Sequence, residues 1–357
     1  MGGTTQRIAS VDALRGLTVA AMLLVNHPGD WGHVYAPLLH APWHGCTPTD
    51  LIFPFFLFIV GVSTALAIGP RVGQSAAPGP LRAAVIARGL RIVALGLALH
   101  ALAWWLLNKP EFRIFGVLQR IGICFIAVGL VAVHLRVRGQ WALLVLLLAG
   151  YGAVLQFGGG SLEKLGSLQQ RIDTAVLGRF AYEWNPATGI AFDPEGLLST
   201  LGAVATTLFG LLCGDLLRRD QPRAVLLTGV AAALVGWWWS GWLPLNKPLW
   251  TSSFVLFTGG LAAVALAAAH VWVDRLGHHP LGRAFGLNAI GAFAGGWVSS
   301  VLLAASGWMG SLYGKGFAPV GAALGPQAQS LAFAIAFVAV WAVIVWALDR
   351  RGWYWKV

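Results

Sequence analysis

Ten stretches of about 17–25 mostly apolar residues recur along this chain, each long enough for a helix to cross a bilayer. They run roughly over 12–27, 51–69, 84–107, 114–134, 141–157, 196–216, 224–242, 251–271, 284–305 and 329–348. The chain therefore reads as an all-α polytopic membrane protein of about ten transmembrane helices. Composition points the same way. Of 357 residues 57% are apolar and 10% charged, with a mean hydropathy of +0.72. Soluble domains carry about 25% charged residues, so lipid must be the solvent for much of this surface. Eighteen Trp suit the headgroup boundary, and 46 Gly suit close helix packing in lipid.

The formal charge of +11 raises the question of a nucleic-acid partner. No basic run with interleaved aromatics is present, and Arg residues fall singly or in pairs between apolar segments, which is a topology signal. With the N-terminus placed in the cytoplasm, sixteen of the 24 Lys and Arg fall on the inner side. An even span count then puts both termini inside, the expected arrangement for a bacterial inner (cytoplasmic) membrane protein. The first apolar stretch lacks a small-residue cleavage site and reads as a retained span. Cys124 and Cys213 lie within apolar segments and Cys46 in a loop, so no disulfide framework is implied. The chain reads as one transmembrane domain over 1–357, with outer loops at 28–50, 158–195 and 243–250. The second of these is long enough to form a small cap.

The densest polar constellation runs from Asn26 to Asp50 and holds His27, His33, His40 and His44, four of the nine histidines. Thr47-Pro48-Thr49-Asp50 fits a capping box, with Thr47 as N-cap and Asp50 at the third helical position. Asp50 also reads as a carboxylate that orients a neighbouring imidazole. A single loop histidine is more often a surface group, yet His40 and His44 flank Trp43 in a Pro-bracketed turn, and His suits general-base work near neutral pH. Zinc is disfavoured, because regular ligand spacing is lacking; no metal is expected.

Other polar residues sit in or beside spans. Asp12 and Arg15, three apart, share a helix face and can neutralise each other. Gln119 and Arg120 lie in G-V-L-Q-R-I-G, and an intramembrane Arg is a functional candidate. Asp193-Pro194-Glu195 reads as a helix start. Asn246 and Lys247 occupy a Pro-bracketed outer turn, and Asn288 is a lone amide suited to a helix partner or a ligand.

In this order the segments resemble the transmembrane heparan-α-glucosaminide N-acetyltransferase family. The matching stretches are R-I-A-S-V-D-A-L-R-G-L-T (7–18), L-L-H-A-P-W-H-G-C-T-P-T-D-L-I-F-P-F-F-L-F (38–58), G-V-L-Q-R-I-G (116–122), F-D-P-E-G-L-L-S-T (192–200), L-P-L-N-K-P-L-W-T-S-S (243–253) and G-L-N-A (286–289). Among bacterial relatives the chain looks most like those linked to N-acetylglucosamine use, sometimes labelled sugar permeases. The resemblance implies transfer of acetyl from cytoplasmic acetyl-CoA to an amino-sugar amine on the far side of the membrane. The acceptor expected here is free glucosamine or a short glycan. The family's active histidine, in His-Ala-x-Trp, matches His40 with Trp43 in register, and an Asn at the end of the first span matches Asn26. His44 stands where the lysosomal enzyme has Asn.

The resemblance and the residues together give a candidate set. His40, Asn26 and Asp50 are the catalytic candidates. Arg15, Asp12, Arg120, Gln119 and Arg88 are assigned to acetyl-CoA, and Trp43, His44, Glu195, Asn246, Lys247, Trp250 and Asn288 to the sugar. His40 acts either as general base or as a nucleophile that carries the acetyl group. The resemblance also implies a homodimer. The rival reading is an N-acetylglucosamine permease without acyl transfer, for which internal repeats would be expected; none is found.

Overall fold

The computed structural model describes residues 8–72 and 78–355. Arg7 and Lys356, both used in the charge count, lie outside them. In chain order the bundle helices are α1 (Ala9–Asn26), α2 (Pro48–Val72), α3 (Gly79–Leu106), α4 (Val117–His134) and α5 (Val137–Phe157). An excursion follows at the end that the charge count expects to face outward, called outer below and its opposite inner, made of α6 (Leu168–Val176) and a short antiparallel hairpin, β1 (Glu183–Asn185) with β2 (Ile190–Phe192). The bundle resumes with α7 (Ser199–Arg218), α8 (Pro222–Trp239) and α9 (Ser252–Ala269), the last continuing as a wide π turn over His270–Arg275. Then come α10 (Arg283–Leu287), α11 (Ala289–Ala305), α12 (Trp308–Gly316), α13 (Ala318–Leu324) and α14 (Pro326–Arg350).

The protein is an all-α polytopic membrane protein. Among the described residues eight helices are long and apolar enough to span a bilayer, nine if α11 and α12, bent by 95°, count as one. The ten expected segments all fall on helices, but α8 misses that standard, with Pro222 and Arg223 in its first turn and Trp237–Trp239 in its last. The segment expected at 284–305 breaks at Asn288 into α10 and α11. Exposed tryptophans gather at both ends, Trp104, Trp105, Trp237, Trp238 and Trp308 at one and Trp272, Trp346, Trp353 and Trp355 at the other. Such paired belts mark the two headgroup boundaries.

Glycine decides how closely the helices approach. A Cβ on Gly61 of α2 would lie 1.9 Å from the Thr207 carbonyl oxygen of α7, and one on Gly210 would lie 2.0 Å from that of Phe58. Only hydrogen fits at this crossing, so backbone contact replaces side-chain interdigitation. Around it pack Leu57, Phe58, Val62, Leu208, Phe209 and Leu212, all fully or almost fully buried. This rigid α2–α7 pair carries Asp50 at one end and Arg71 and Arg218 at the other. Twenty-one residues of helix separate Asp50 from Arg71, about 30 Å at 1.5 Å per residue.

Candidate active site

The 28–50 loop folds back over the outer bundle mouth because proline and glycine dictate its turns. Pro37 lies in a 3-10 turn over Ala36–Leu38, and Pro48 opens α2. Gly45, at φ +118°, takes a backbone conformation that L side chains rarely adopt, and its N–H donates to the Leu245 carbonyl at 2.8 Å. Asn246, fully buried, completes the clamp. Its amide nitrogen lies 3.0 Å from the Trp43 carbonyl and 3.2 Å from His44 Nδ1, while its oxygen accepts from Leu249 N–H at 2.8 Å. The loops at 28–50 and 243–250 are thus one structural unit.

Within it, Asp50 is 1% exposed and gathers four donors. His40 Nδ1 lies 2.7 Å from Oδ1. The Ala41 and Thr47 backbone N–H groups donate to Oδ2 at 3.0 Å each, and the Thr47 hydroxyl lies 3.1 Å from it. The capping box is therefore half made. The carboxylate caps the Thr47 N–H as expected, but the Thr47 hydroxyl turns to the Leu39 carbonyl at 2.7 Å and to Asp50 itself instead of capping the helix. Asp50 thus contacts both the Thr47 N–H and the His40 ring. Because an ionised carboxylate only accepts, Nδ1 of His40 carries the proton and Nε2 presents a lone pair. The Lys247 ammonium sits 3.1 Å from both ring nitrogens, which places it over the ring face, and 3.8 Å from Asp50 Oδ1.

These groups open into a cavity of about 290 Å³ lined also by Trp43, Arg113, Val117, Tyr182, Glu195 and Trp250. Trp250, at φ +50°, holds a strained conformation for a bulky residue. It is kept there by its indole N–H on Thr206 Oγ1 at 2.9 Å and by edge contacts with Phe53 and Phe254. The opposite wall is electrostatic. Arg113 donates to Asp193 through Nε at 3.1 Å and Nη2 at 2.6 Å, reaches Glu195 at 2.5 Å, and lies 4.4 Å over the Tyr182 ring. Burial alone would raise the Glu195 carboxyl, but the charges of Arg113, Arg120 and Lys247 prevail and hold it below the usual range.

A family model described as "Heparan-alpha-glucosaminide N-acetyltransferase, catalytic" matches residues 7–170, the stretch that contains His40, Asp50 and Arg113. Curated proteins named heparan-alpha-glucosaminide N-acetyltransferase are 26% identical in Mus musculus, over 77% of this chain, and 26% identical in Homo sapiens, over 76% of it. Over these stretches the chain is similar to the heparan-α-glucosaminide N-acetyltransferases. It spans about half the length of these curated relatives, 50% of the mouse protein and 49% of the human one.

In the structure the candidate residues sort into three groups. His40, Asp50, Trp43, Glu195, Lys247 and Trp250 meet in the outer cavity. His44, 3.5 Å from Glu163, and Asn246 stand behind it as loop clamps. Asn26 ends α1 exposed and does not line the cavity. The four loop histidines do not converge, since His27 stacks on Phe337 and His33 pairs with Asp30. Among the described residues no cluster could hold a metal ion.

The set assigned to acetyl-CoA divides. Asp12, Arg15 and Arg88 lie at the inner end of the bundle, where Arg15 contacts Asp12 at 3.0 Å, the Gly286 carbonyl at 2.9 Å and Ser63 at 2.8 Å. Gln119 and Arg120 occupy the first turn of α4, which starts at the outer end, so they do not join the inner group. Arg120, fully buried, reaches Ser199 and the Gly196 carbonyl and lies 5.2 Å over the Trp250 ring. Gln119 bonds the Ile114 carbonyl at 2.9 Å. Asn288 moves the other way. It joins α10 to α11 at the inner end, bonded to the Trp355 N–H at 3.0 Å, far from the sugar-side residues.

Asp193 also departs from expectation. The helix begins at Ser199, and Asp193 instead accepts from the Glu195 N–H at 2.9 Å, the Tyr182 N–H at 2.8 Å and Arg113. Arg113 and Tyr182 carried no isolated sequence signal, because their partners Asp193 and Glu195 lie about 80 residues away or across the hairpin. Removing Arg113 takes the counter-charge from the fully buried Asp193, which keeps only its backbone N–H donors, so Arg113→Leu should lose roughly 3 kcal/mol of stability, read as a lower Tm in detergent.

Asp173 holds the base of this turn, accepting from the Asp193 N–H at 3.2 Å and the Leu197 N–H at 3.3 Å. Burial pushes its carboxyl up to about 6. A raised folded-state value means that the folded chain holds the proton more tightly, so this contribution to stability is full near pH 4 and lost as pH rises through about 6. The difference in Tm between wild type and Asp173→Asn should change over that window. A constant difference would show that Asp173 does not titrate there.

Proposed function

We propose that this chain is a transmembrane N-acetyltransferase that moves acetyl from acetyl-CoA to the amine of glucosamine or a short amino-sugar glycan. The observation that carries the reading is the His40–Asp50 pair. An imidazole whose Nδ1 is tied to a buried carboxylate opens its Nε2 into a cavity with an aromatic and a charged wall. His40 Nε2 takes the proton from the acceptor amine as that nitrogen attacks the acyl carbon; the C–N bond forms, the C–S bond breaks, and the proton passes to the leaving thiolate. Trp43 and Trp250 suit the apolar faces of a sugar ring, and Glu195 with Arg113 its hydroxyls. Acetyl-CoA supplies the activated acyl group.

The inner end suits such a co-substrate. A cavity of about 880 Å³ and another of about 360 Å³ share Arg15 and Ser63. Arg218 and Arg275 line the first, and Arg71 and Arg88 the second. Guanidinium groups favour phosphate there. The second narrows to apolar Phe56, Ile92 and Ile121, and Ile121 is one helical turn from Val117 in the outer cavity. The described chain ends reach this arginine-rich end as well, Ile8 lining one cavity and Trp355 the other. Together with the excess of positive charge on that side, this supports cytoplasmic termini.

Labelled acetyl-CoA and glucosamine, incubated with the purified protein in detergent, test the proposal. N-acetylglucosamine should form. If neither glucosamine nor its oligomers are acetylated and acetyl-CoA does not bind, the reading fails and sugar uptake into vesicles becomes the activity to measure. Arg88, on the exposed inner face of α3, should matter for the donor alone. Arg88→Ala is expected to raise KM for acetyl-CoA about tenfold, the loss of one charge-assisted contact, with KM for glucosamine unchanged.

A further inference from the structure

Attack on a thioester carbonyl builds negative charge on the acyl oxygen, and a donor must meet it. Donors that line the outer cavity are few, and most are committed. Trp43 Nε1 donates to the Leu162 carbonyl at 2.9 Å, and Trp250 Nε1 to Thr206. Arg113 spends Nε and Nη2 on Asp193 and Glu195. The Ala41 N–H is held by Asp50. Asn26, a catalytic candidate with an amide to donate, is not in the cavity. That leaves Arg113 Nη1, the Val117 N–H at the start of α4, the Tyr182 hydroxyl and the Lys247 ammonium, and of these only Lys247 touches the reacting imidazole.

We propose that Lys247 is a catalytic residue, the oxyanion donor of the His40 site, turning its ammonium from the imidazole face to the acyl oxygen when the amine attacks. The proposal rests on the acetyltransferase reading. The ammonium has three protons and a flexible four-carbon stem. Its ion pair with Asp50 is loose at 3.8 Å, so reorientation breaks no short carboxylate contact. Its side chain is 19% exposed, inside the low-dielectric mouth where a charge acts strongly.

The groups that face Lys247 are the carboxylates of Asp50 on α2 and Glu195 on the 193–197 turn, the Arg120 guanidinium on α4, and Cys46 and His40 on the 28–50 loop. Burial lowers the ammonium below the usual lysine range, and Asp50 and Glu195 oppose that without cancelling it. A more acidic ammonium is a stronger donor toward a developing oxyanion. Lys247 also lies where an acceptor amine must approach Nε2, so substrate entry and the turn of the lysine are one event.

The test compares wild type, Lys247→Met and Lys247→Arg. With acetyl-CoA and glucosamine, Lys247→Met should lower kcat about 10²–10³-fold with KM for glucosamine changed less than about threefold, and Lys247→Arg should recover at least about tenfold of the loss. A second readout needs neither natural substrate, namely carbethoxylation of His40 by diethyl pyrocarbonate at about pH 8, followed by mass spectrometry. That reaction also passes through a tetrahedral oxyanion and should slow about tenfold or more in Lys247→Met. Slow carbethoxylation in the Met variant beside an inactive wild type would retire the acetyltransferase reading and leave the donor role standing. Carbethoxylation and kcat both within about threefold of wild type, or a rise in KM alone, would overturn the proposal.

Discussion

Replacing His40 by alanine should lower kcat for acetyl transfer to glucosamine about 10³–10⁴-fold, the range for loss of a positioned base. The protein should remain folded, because the His40 side chain is 49% exposed and its removal opens no cavity in the core. The four-donor shell of Asp50 loses one member, and water can replace it at the cavity mouth. KM for acetyl-CoA should change little, since the arginine-rich cavities lie at the other end of α2. Initial rates at saturating substrate, beside a thermal melt in detergent, are the measurement. A variant that keeps more than about a tenth of wild-type kcat would remove His40 from the chemistry.

Asp50→Asn should be nearly as damaging to activity, by about 10²–10⁴-fold, through the tautomer of its neighbour. The amide oxygen can still accept from the Ala41 and Thr47 N–H groups, which now hold Oδ2. That points the NH₂ group at His40 Nδ1, where the carboxylate now sits at 2.7 Å. Two donors cannot face each other, so Nδ1 becomes the acceptor and Nε2 takes the proton. The base is lost while the loop is kept. The melting temperature should fall only modestly, by the share of about 1 kcal/mol that a helix cap contributes. A near-normal kcat in Asp50→Asn beside a dead His40→Ala would mean that the carboxylate serves only as a cap.

Much of this site was legible in the sequence because its parts are local. His40, Trp43, Pro48 and Asp50 lie within eleven residues, and their spacing carries both the capping pattern and the pairing of imidazole with carboxylate. The 243–250 turn announced itself through its two prolines. Arg113 and Tyr182 did not, because each has meaning only beside Asp193 and Glu195. The grouping of Gln119 and Arg120 with Arg15 failed for a geometric reason, since all three lie in the first half of their helices, and α1 and α4 run in opposite directions across the bundle. Asn26 and Asn288 show the limit of reading amides in isolation; only the packing around them decides what an amide faces.

Taken alone, the sequence determined that this chain is a helical membrane protein, roughly where its helices run, and which loop brings His40 and Asp50 within reach of each other. Those properties follow from segment hydropathy, turn chemistry and spacing, all short-range. Tertiary structure decided that Lys247 meets His40 across 207 residues of chain, that Arg113 binds both Asp193 and Glu195, and that Val117 and Ile121, one turn apart on α4, line two different cavities. These depend on helices brought within glycine distance of one another, as at Gly61 and Gly210, and no local pattern encodes which helix lies beside which.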